Sequence, residues 1–203
     1  MVKVKVCGIT NVSDAFFCSA SGADILGFIF WKKSPRYISS ENAKKIIDDL
    51  NDSTLTAGVF LDESRDEVLD IASSLNLDIL QFHGTESPAY CSFFKSRFFV
   101  IKTFFPATMH SINGYDVDAC LFDVLWDDKQ KGIKMIDDGS LDFIKNKITG
   151  KKVIISGGLN VINVRDVIRK ISPYAVDVAS GVELSPGKKN KELVKEFINI
   201  AKE

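Results

Sequence analysis

Eight times along 203 residues, a short apolar run is followed by a stretch whose apolar residues recur at helical spacing. Runs that are apolar on both faces belong to parallel sheets covered by helices. Eight such units, with no linker or low-complexity segment between them, predict a single-domain α/β chain over residues 1–203, folded as a (β/α)8 TIM barrel. A doubly wound open sheet would have fewer strands and one topological switch point. The strands are read at Val2–Cys7, Asp24–Phe30, Leu55–Phe60, Asp78–Phe82, Phe98–Phe104, Asp118–Phe122, Lys152–Ile155 and Ala175–Ala179.

Between them, Asn11 or Ser13 caps a helix to Ala20, Ser39 or Ser40 one to Leu50, and Asp62 one from Glu63 to Leu75. Ser87-Pro88 opens a helix to Lys95, with proline at a first-turn position. A fainter helical pattern covers Ala107–Ile112. Asp138–Lys147, a helix capped by Asn160 that runs through Lys170, and Lys191–Lys202 complete the set.

A barrel places its functional groups at the carboxyl ends of the strands. Strand one alternates strictly and delivers Cys7 beside Gly8, with Lys5 on the same face about 6–7 Å behind it. A thiol with an ordinary pKa near 8.5 holds little thiolate at neutral pH, so a base role for Cys7 calls for a positive neighbour. A lysine inside the barrel needs a carboxylate partner, and Asp177 on strand eight is the candidate once the barrel closes. Cys18, Cys91 and Cys120 read as small buried hydrophobes. Strand six ends in Asp123, a candidate general acid that could equally cap a helix. Arg36, after Ser34-Pro35, suits a fork for a carboxylate.

Gln81 and His83 close strand four as candidate substrate-binding groups, although a histidine by a glycine turn serves structure as readily as function. The clearest chemistry is in the Gly157-Gly158 and Ser180-Gly181 turns. Both expose backbone N–H groups with no Cβ to block a phosphate, where barrels commonly hold one.

Composition narrows the partners. A net charge of −1 with lysines scattered among acids leaves no footprint for nucleic acid or an anionic membrane. No run approaches the roughly 18 apolar residues of a membrane span, and no apolar segment follows a basic start. Four well-separated cysteines and two histidines argue against a structural zinc site and for a reduced, cytoplasmic setting. The residues leave open a monomer or a homodimer.

In order and spacing, the motifs resemble those of phosphoribosylanthranilate isomerases over nearly the whole chain. They are Lys5–Thr10, Gly22–Phe30, Lys33–Ile38, Gly58–Phe60, Leu80–Gly84, Ser156–Asn160 and Asp177–Glu183. The resemblance implies an enzyme of tryptophan biosynthesis that isomerises a small phosphorylated substrate by an Amadori rearrangement, without metal or cofactor. It also implies that Asp123 protonates the ribose ring oxygen and Cys7 removes the C2 proton. Arg36 would pair the anthranilate carboxylate, and the two glycine turns would hold the phosphate.

Asp128–Asp138 departs from the glycine-rich stretch the family carries there, and Lys189-Asn190 stands where Lys-Asp is usual. Two rival readings remain at this point. One is another sugar-phosphate barrel enzyme, which would want paired aspartates or more histidines. The other is a barrel that only binds a phosphorylated ligand.

Overall fold

The computed structural model describes residues 1–50, 53–123, 137–148 and 150–203. Eight parallel strands close into a barrel in sequence order. They are β1 (Lys3–Cys7), β2 (Ile25–Ile29), β3 (Leu55–Phe60), β4 (Ile79–Phe82), β5 (Phe99–Phe104), β6 (Ala119–Phe122), β7 (Lys152–Ile155) and β8 (Ala175–Val178). Around them lie α1 (Val12–Ala20), α2 (Ser40–Ile47), α3 (Arg65–Ser74), α4 (Pro88–Phe94), α5 (Asp138–Lys147), α6 (Val164–Ile171) and α7 (Lys191–Lys202).

The fifth connection is a 3-10 helix, Pro106–Gly114, rather than the α-helix expected over Ala107–Ile112. It buries only Met109 and Ile112, too narrow a stripe to hold a longer helix on the sheet. A short hairpin, β9 (Glu183–Ser185) with β10 (Lys188–Lys189), follows a one-turn 3-10 helix at Ser180–Val182.

Two apolar layers result from the alternation along each strand. Val4, Val6, Leu26, Phe28, Phe60, Leu80, Phe82 and their neighbours face outward and pack under the helices. Ile25, Ala57, Ile79, Ile101, Ala119, Leu121, Ile154 and Ala175 fill the lower interior. One pleat higher the inward residues turn polar: Lys5, Gln81, Thr103, Ser156 and Asp177 are buried, and Cys7 and Asp123 lie at the rim.

The far end of the barrel repeats a device of its own. Asp24, Asp78 and Asp118, each just before an even-numbered strand, accept the backbone N–H of Val4, Thr56 and Val100 on the preceding strand, each at 2.8 Å.

Capping follows side-chain reach. Asn11, Ser39 and Ser87 accept from the backbone N–H three residues on, as their types predict. Ser64, not Asp62, caps α3. Asp62 instead adopts a left-handed backbone and accepts from Thr85. Helix α6 begins at Val164 rather than just after Asn160, because Asn160 and Asn163 spend their side chains closing a turn. Asn163 Oδ1 accepts from the Asn160 N–H and Asn160 Oδ1 from the Ile162 N–H.

Candidate active site

The carboxyl ends of the strands open into a cavity of about 800 Å³. Cys7, Arg36, Gln81, His83 and Asp123 line it, as do Gly157, Gly158 and Ser180. Sequence reasoning named all of these. Gly181 is the one named residue outside the lining. Its Cα lies against the loop that follows β7, and a Cβ there would stand 1.9 Å from the Leu159 carbonyl oxygen. Gly157 and Gly158 both hold positive φ, at 78° and 76°, which side chains resist and which leaves their peptides open to the cavity.

Lys5, in register with Asp177 on the adjacent β8, donates to Asp177 Oδ1 at 3.0 Å. This is the pairing the sequence called for. Asp177 Oδ2 accepts from Ser156 Oγ at 3.1 Å, and the same hydroxyl lies 3.4 Å from Asp123 Oδ2. Gly27 on β2 makes room for the lysine and the thiol together. A Cβ there would sit 2.8 Å from Cys7 Sγ and 2.9 Å from Lys5 Nζ.

Burial is the largest influence on Cys7 and pushes the thiol up. Lys5 pulls it down by charge and by hydrogen bonding, Asp177 pushes it up again, and the net direction is upward. For Lys5 burial acts downward, but the charges of Asp177 and Cys7 outweigh it and hold the ammonium firmly protonated.

A second ionic group lies beneath Arg36. The guanidinium donates to Glu183 through Nε (2.9 and 3.1 Å) and Nη2 (2.6 Å), which leaves the Nη1 side of the fork for a ligand. Lys189 donates to the same carboxylate at 2.9 Å and to the backbone oxygen of Cys7 at 2.6 Å. The β9–β10 hairpin thus ties the carboxylate-binding candidate to the strand that carries the thiol. Neither Glu183 nor Lys189 was singled out for a role in the site from sequence. The chain gives no spacing signal for a contact 182 residues long.

His83 Nδ1 lies 3.2 Å from Gln81 Nε2 and 3.1 Å from Thr103 Oγ1. Its Nε2 lies 3.9 Å from Asp123 Oδ2. Gln81 Oε1 is buried without a hydrogen-bond partner, an acceptor left over at the cavity wall. Among the described residues no cluster of His, Cys, Asp and Glu suits a metal ion. Among them, too, no helix is long and apolar enough to cross a membrane. The altered stretch Asp128–Asp138 falls largely outside the described residues; of it, Asp137 caps α5 by accepting from the Ser140 N–H.

A closed parallel barrel with a thiol and a carboxylate on its inner rim, beside two glycine turns, defines a (β/α)8 barrel whose ionisable groups gather at the strand ends. The model of the family N-(5'-phosphoribosyl)anthranilate (PRA) isomerase matches residues 4–200. The N-(5'-phosphoribosyl)anthranilate isomerase of Thermotoga neapolitana is 42% identical, with 100% of this chain and 99% of that protein covered. The solved structure of monomers of the dimeric phosphoribosylanthranilate isomerase from Thermotoga maritima superposes with a TM-score of 0.89 at 38% identity, covering 100% and 99% of the two chains. A phosphoribosylanthranilate isomerase in complex with reduced 1-(o-carboxyphenylamino)-1-deoxyribulose 5-phosphate superposes at 0.83 with 38% identity and the same coverage. The chain belongs to the N-(5'-phosphoribosyl)anthranilate isomerase family, and is an isomerase of tryptophan biosynthesis.

Proposed function

We propose that the chain carries out the Amadori rearrangement of N-(5-phosphoribosyl)anthranilate to 1-(2-carboxyphenylamino)-1-deoxyribulose 5-phosphate, with Cys7 as general base and Asp123 as general acid. The observation that carries this reading is the placement of both groups on the inner rim of one cavity, at the carboxyl ends of β1 and β6. A substrate held there can be protonated by one and deprotonated by the other.

Asp123 gives its proton to the ribose ring oxygen, and the C1–O bond breaks with its electron pair passing to that oxygen. The nitrogen lone pair forms the C1=N bond of an iminium. Cys7, as thiolate, takes the C2 proton. The C–H pair becomes the C1=C2 bond and the nitrogen recovers its lone pair, giving an enolamine that tautomerises to the ketone. The open Nη1 side of Arg36 suits the anthranilate carboxylate. The Gly157-Gly158 and Ser180-Gly181 backbones suit the phosphate. Gln81 Oε1 supplies an acceptor for a sugar hydroxyl, with His83 beside it. No step calls for a metal or cofactor, and the reaction fits a cytoplasmic setting.

Fluorescence loss from freshly made phosphoribosylanthranilate tests the reading. Wild type accelerates the loss well above the uncatalysed background. Cys7→Ala and Asp123→Asn each reduce kcat by about 10²–10⁴-fold, the contribution of a positioned acid or base, while a reduced product analogue still binds nearly as tightly. Cys7→Ala retaining more than a few per cent of kcat would remove Cys7 as the base.

A further inference from the structure

The proposed acid and base sit on strands that do not touch, yet polar side chains on the strands between them join the two. From Cys7 on β1, the line runs to Lys5 on the same strand and to Asp177 on β8. It continues to Ser156 after β7 and ends at Asp123 after β6. Three of its links are measured: Lys5 Nζ to Asp177 Oδ1 at 3.0 Å, Ser156 Oγ to Asp177 Oδ2 at 3.1 Å, and Ser156 Oγ to Asp123 Oδ2 at 3.4 Å. The fourth, from thiol to ammonium, crosses the space that Gly27 leaves open. Lys5, Asp177 and Ser156 are all buried, at 0%, 5% and 7% exposure, with Lys5 below the cavity and Asp177 and Ser156 in its wall.

A turnover of the proposed reaction leaves the enzyme unbalanced. Asp123 has lost a proton and Cys7 has gained one, while the substrate keeps its composition. The next turnover requires the reverse distribution. We infer that Lys5, Asp177 and Ser156 form an internal path that carries the proton from Cys7 back to Asp123 between turnovers. The thiol passes its proton to Lys5 as the ammonium releases one to Asp177 Oδ1. A half-turn of the Asp177 carboxyl brings that proton to the Ser156 side. Ser156 accepts it and gives its own hydroxyl proton to Asp123 Oδ2. No proton is gained or lost overall, and every group except Cys7 and Asp123 returns to its starting state. Ser156 acts in this scheme by relaying a proton to Asp123, not by orienting it.

The inference rests on the Cys7/Asp123 assignment, and the test separates the two. Ser156→Ala cuts the path and leaves both reacting groups in place. With enzyme in excess, the single-turnover rate of Ser156→Ala stays near wild type. With substrate in excess, a burst of one turnover is followed by a steady rate lowered by about 10²-fold, the lower range of an acid–base contribution. Ser156→Thr, which keeps the hydroxyl, restores the steady rate. Imidazole buffer, a diffusible proton carrier, raises the steady rate of Ser156→Ala and leaves wild type unchanged.

Equal loss in single and multiple turnover would mean that Ser156 only orients Asp123, and would overturn the path. An unchanged steady rate would also overturn it, since Asp123 would then be reprotonated from solvent. A failure of the underlying assignment shows elsewhere, as retained activity in Cys7→Ala or Asp123→Asn, whatever Ser156→Ala does.

Discussion

Two buried lysines lie on opposite sides of the same barrel wall and make the same kind of ion pair for different ends. Lys5 points inward from β1 and meets Asp177 at 3.0 Å. Lys102, one residue out of the inward phase on β5, points toward the helices and meets Glu86 at 3.1 Å. The remaining partners separate them. Lys102 also donates to the backbone oxygens of Gly84 and Thr103, at 2.8 and 3.1 Å, and Glu86 accepts the N–H groups of Asp62 and Gly84. Apart from the Thr103 oxygen, which belongs to β5, all of that is loop backbone, so the outer pair fixes how the loops after β3 and β4 sit. The carboxylate of the inner pair touches Ser156, and its lysine bears on the Cys7 thiol. A buried ion pair is thus neither structural nor functional in itself; the groups around it decide.

Removing each lysine should expose that difference most strongly. Lys102→Met leaves Glu86 buried and unpaired, a loss of about 3–5 kcal/mol read as a lower urea midpoint. The fraction that stays folded should turn over nearly as wild type. Lys5→Met should cost a similar amount through Asp177 and should also depress kcat, because only the weaker influence of Lys189 then counters the upward push of burial on the thiol. The pH at which kcat rises should move upward with it. Equal effects of the two variants on kcat would erase the distinction between the pairs.

The Arg36–Glu183–Lys189 group sharpens the comparison, since it joins both purposes. Burial pushes the Glu183 carboxyl up, but the hydrogen bonds from Arg36 and the charge of Lys189 outweigh it and leave it below its ordinary value. A carboxyl lowered on folding adds stability that is present above its unfolded pKa, near 4.3. That stability is lost as pH falls through the lower folded value. Glu183→Gln should therefore be less stable than wild type at neutral pH, with the gap narrowing on acidification below about pH 4. KM should rise more than kcat falls, because Arg36 loses the carboxylate that aims it. A gap that stays constant with pH would place the stabilising charge elsewhere.

Smaller again is the response of Gly27→Ala. The added methyl enters between Cys7 Sγ and Lys5 Nζ, and overpacking of this kind costs about 1–3 kcal/mol. On the inner side it should also lower kcat by separating the two groups. Full activity with a Cβ present would mean that their closeness is incidental.

How much of this could be read in the chain follows from the range of each signal. The barrel was legible because doubly apolar strands leave few alternatives. The rim positions of Cys7 and Asp123 were legible because the fold dictates which residues reach the carboxyl ends of the strands. The Lys5–Asp177 pair followed from parity on β1 and closure against β8. By contrast Lys102–Glu86 depends on a loop carboxylate folding back over the top of β5, which no periodicity records. Glu183 and Lys189 depend on a hairpin only a few residues long. Helix starts erred where two capping residues competed, as at Asp62 against Ser64, because side-chain reach and not residue type decides between them.

That competition yields the smallest test. Ser64 accepts the Glu67 N–H at 3.2 Å and so satisfies one of the first-turn donors of α3. Ser64→Ala should cost about 1 kcal/mol of stability and leave kcat and KM unchanged. Asp62→Ala acts on a different structure: it frees the Thr85 N–H and disturbs the loop that Glu86 and Lys102 also hold. If Asp62 belongs to that outer network and not to the helix, combining Asp62→Ala with Lys102→Met should lose less than the sum of the two changes. Combining it with Ser64→Ala should be additive, since those two act through separate donors.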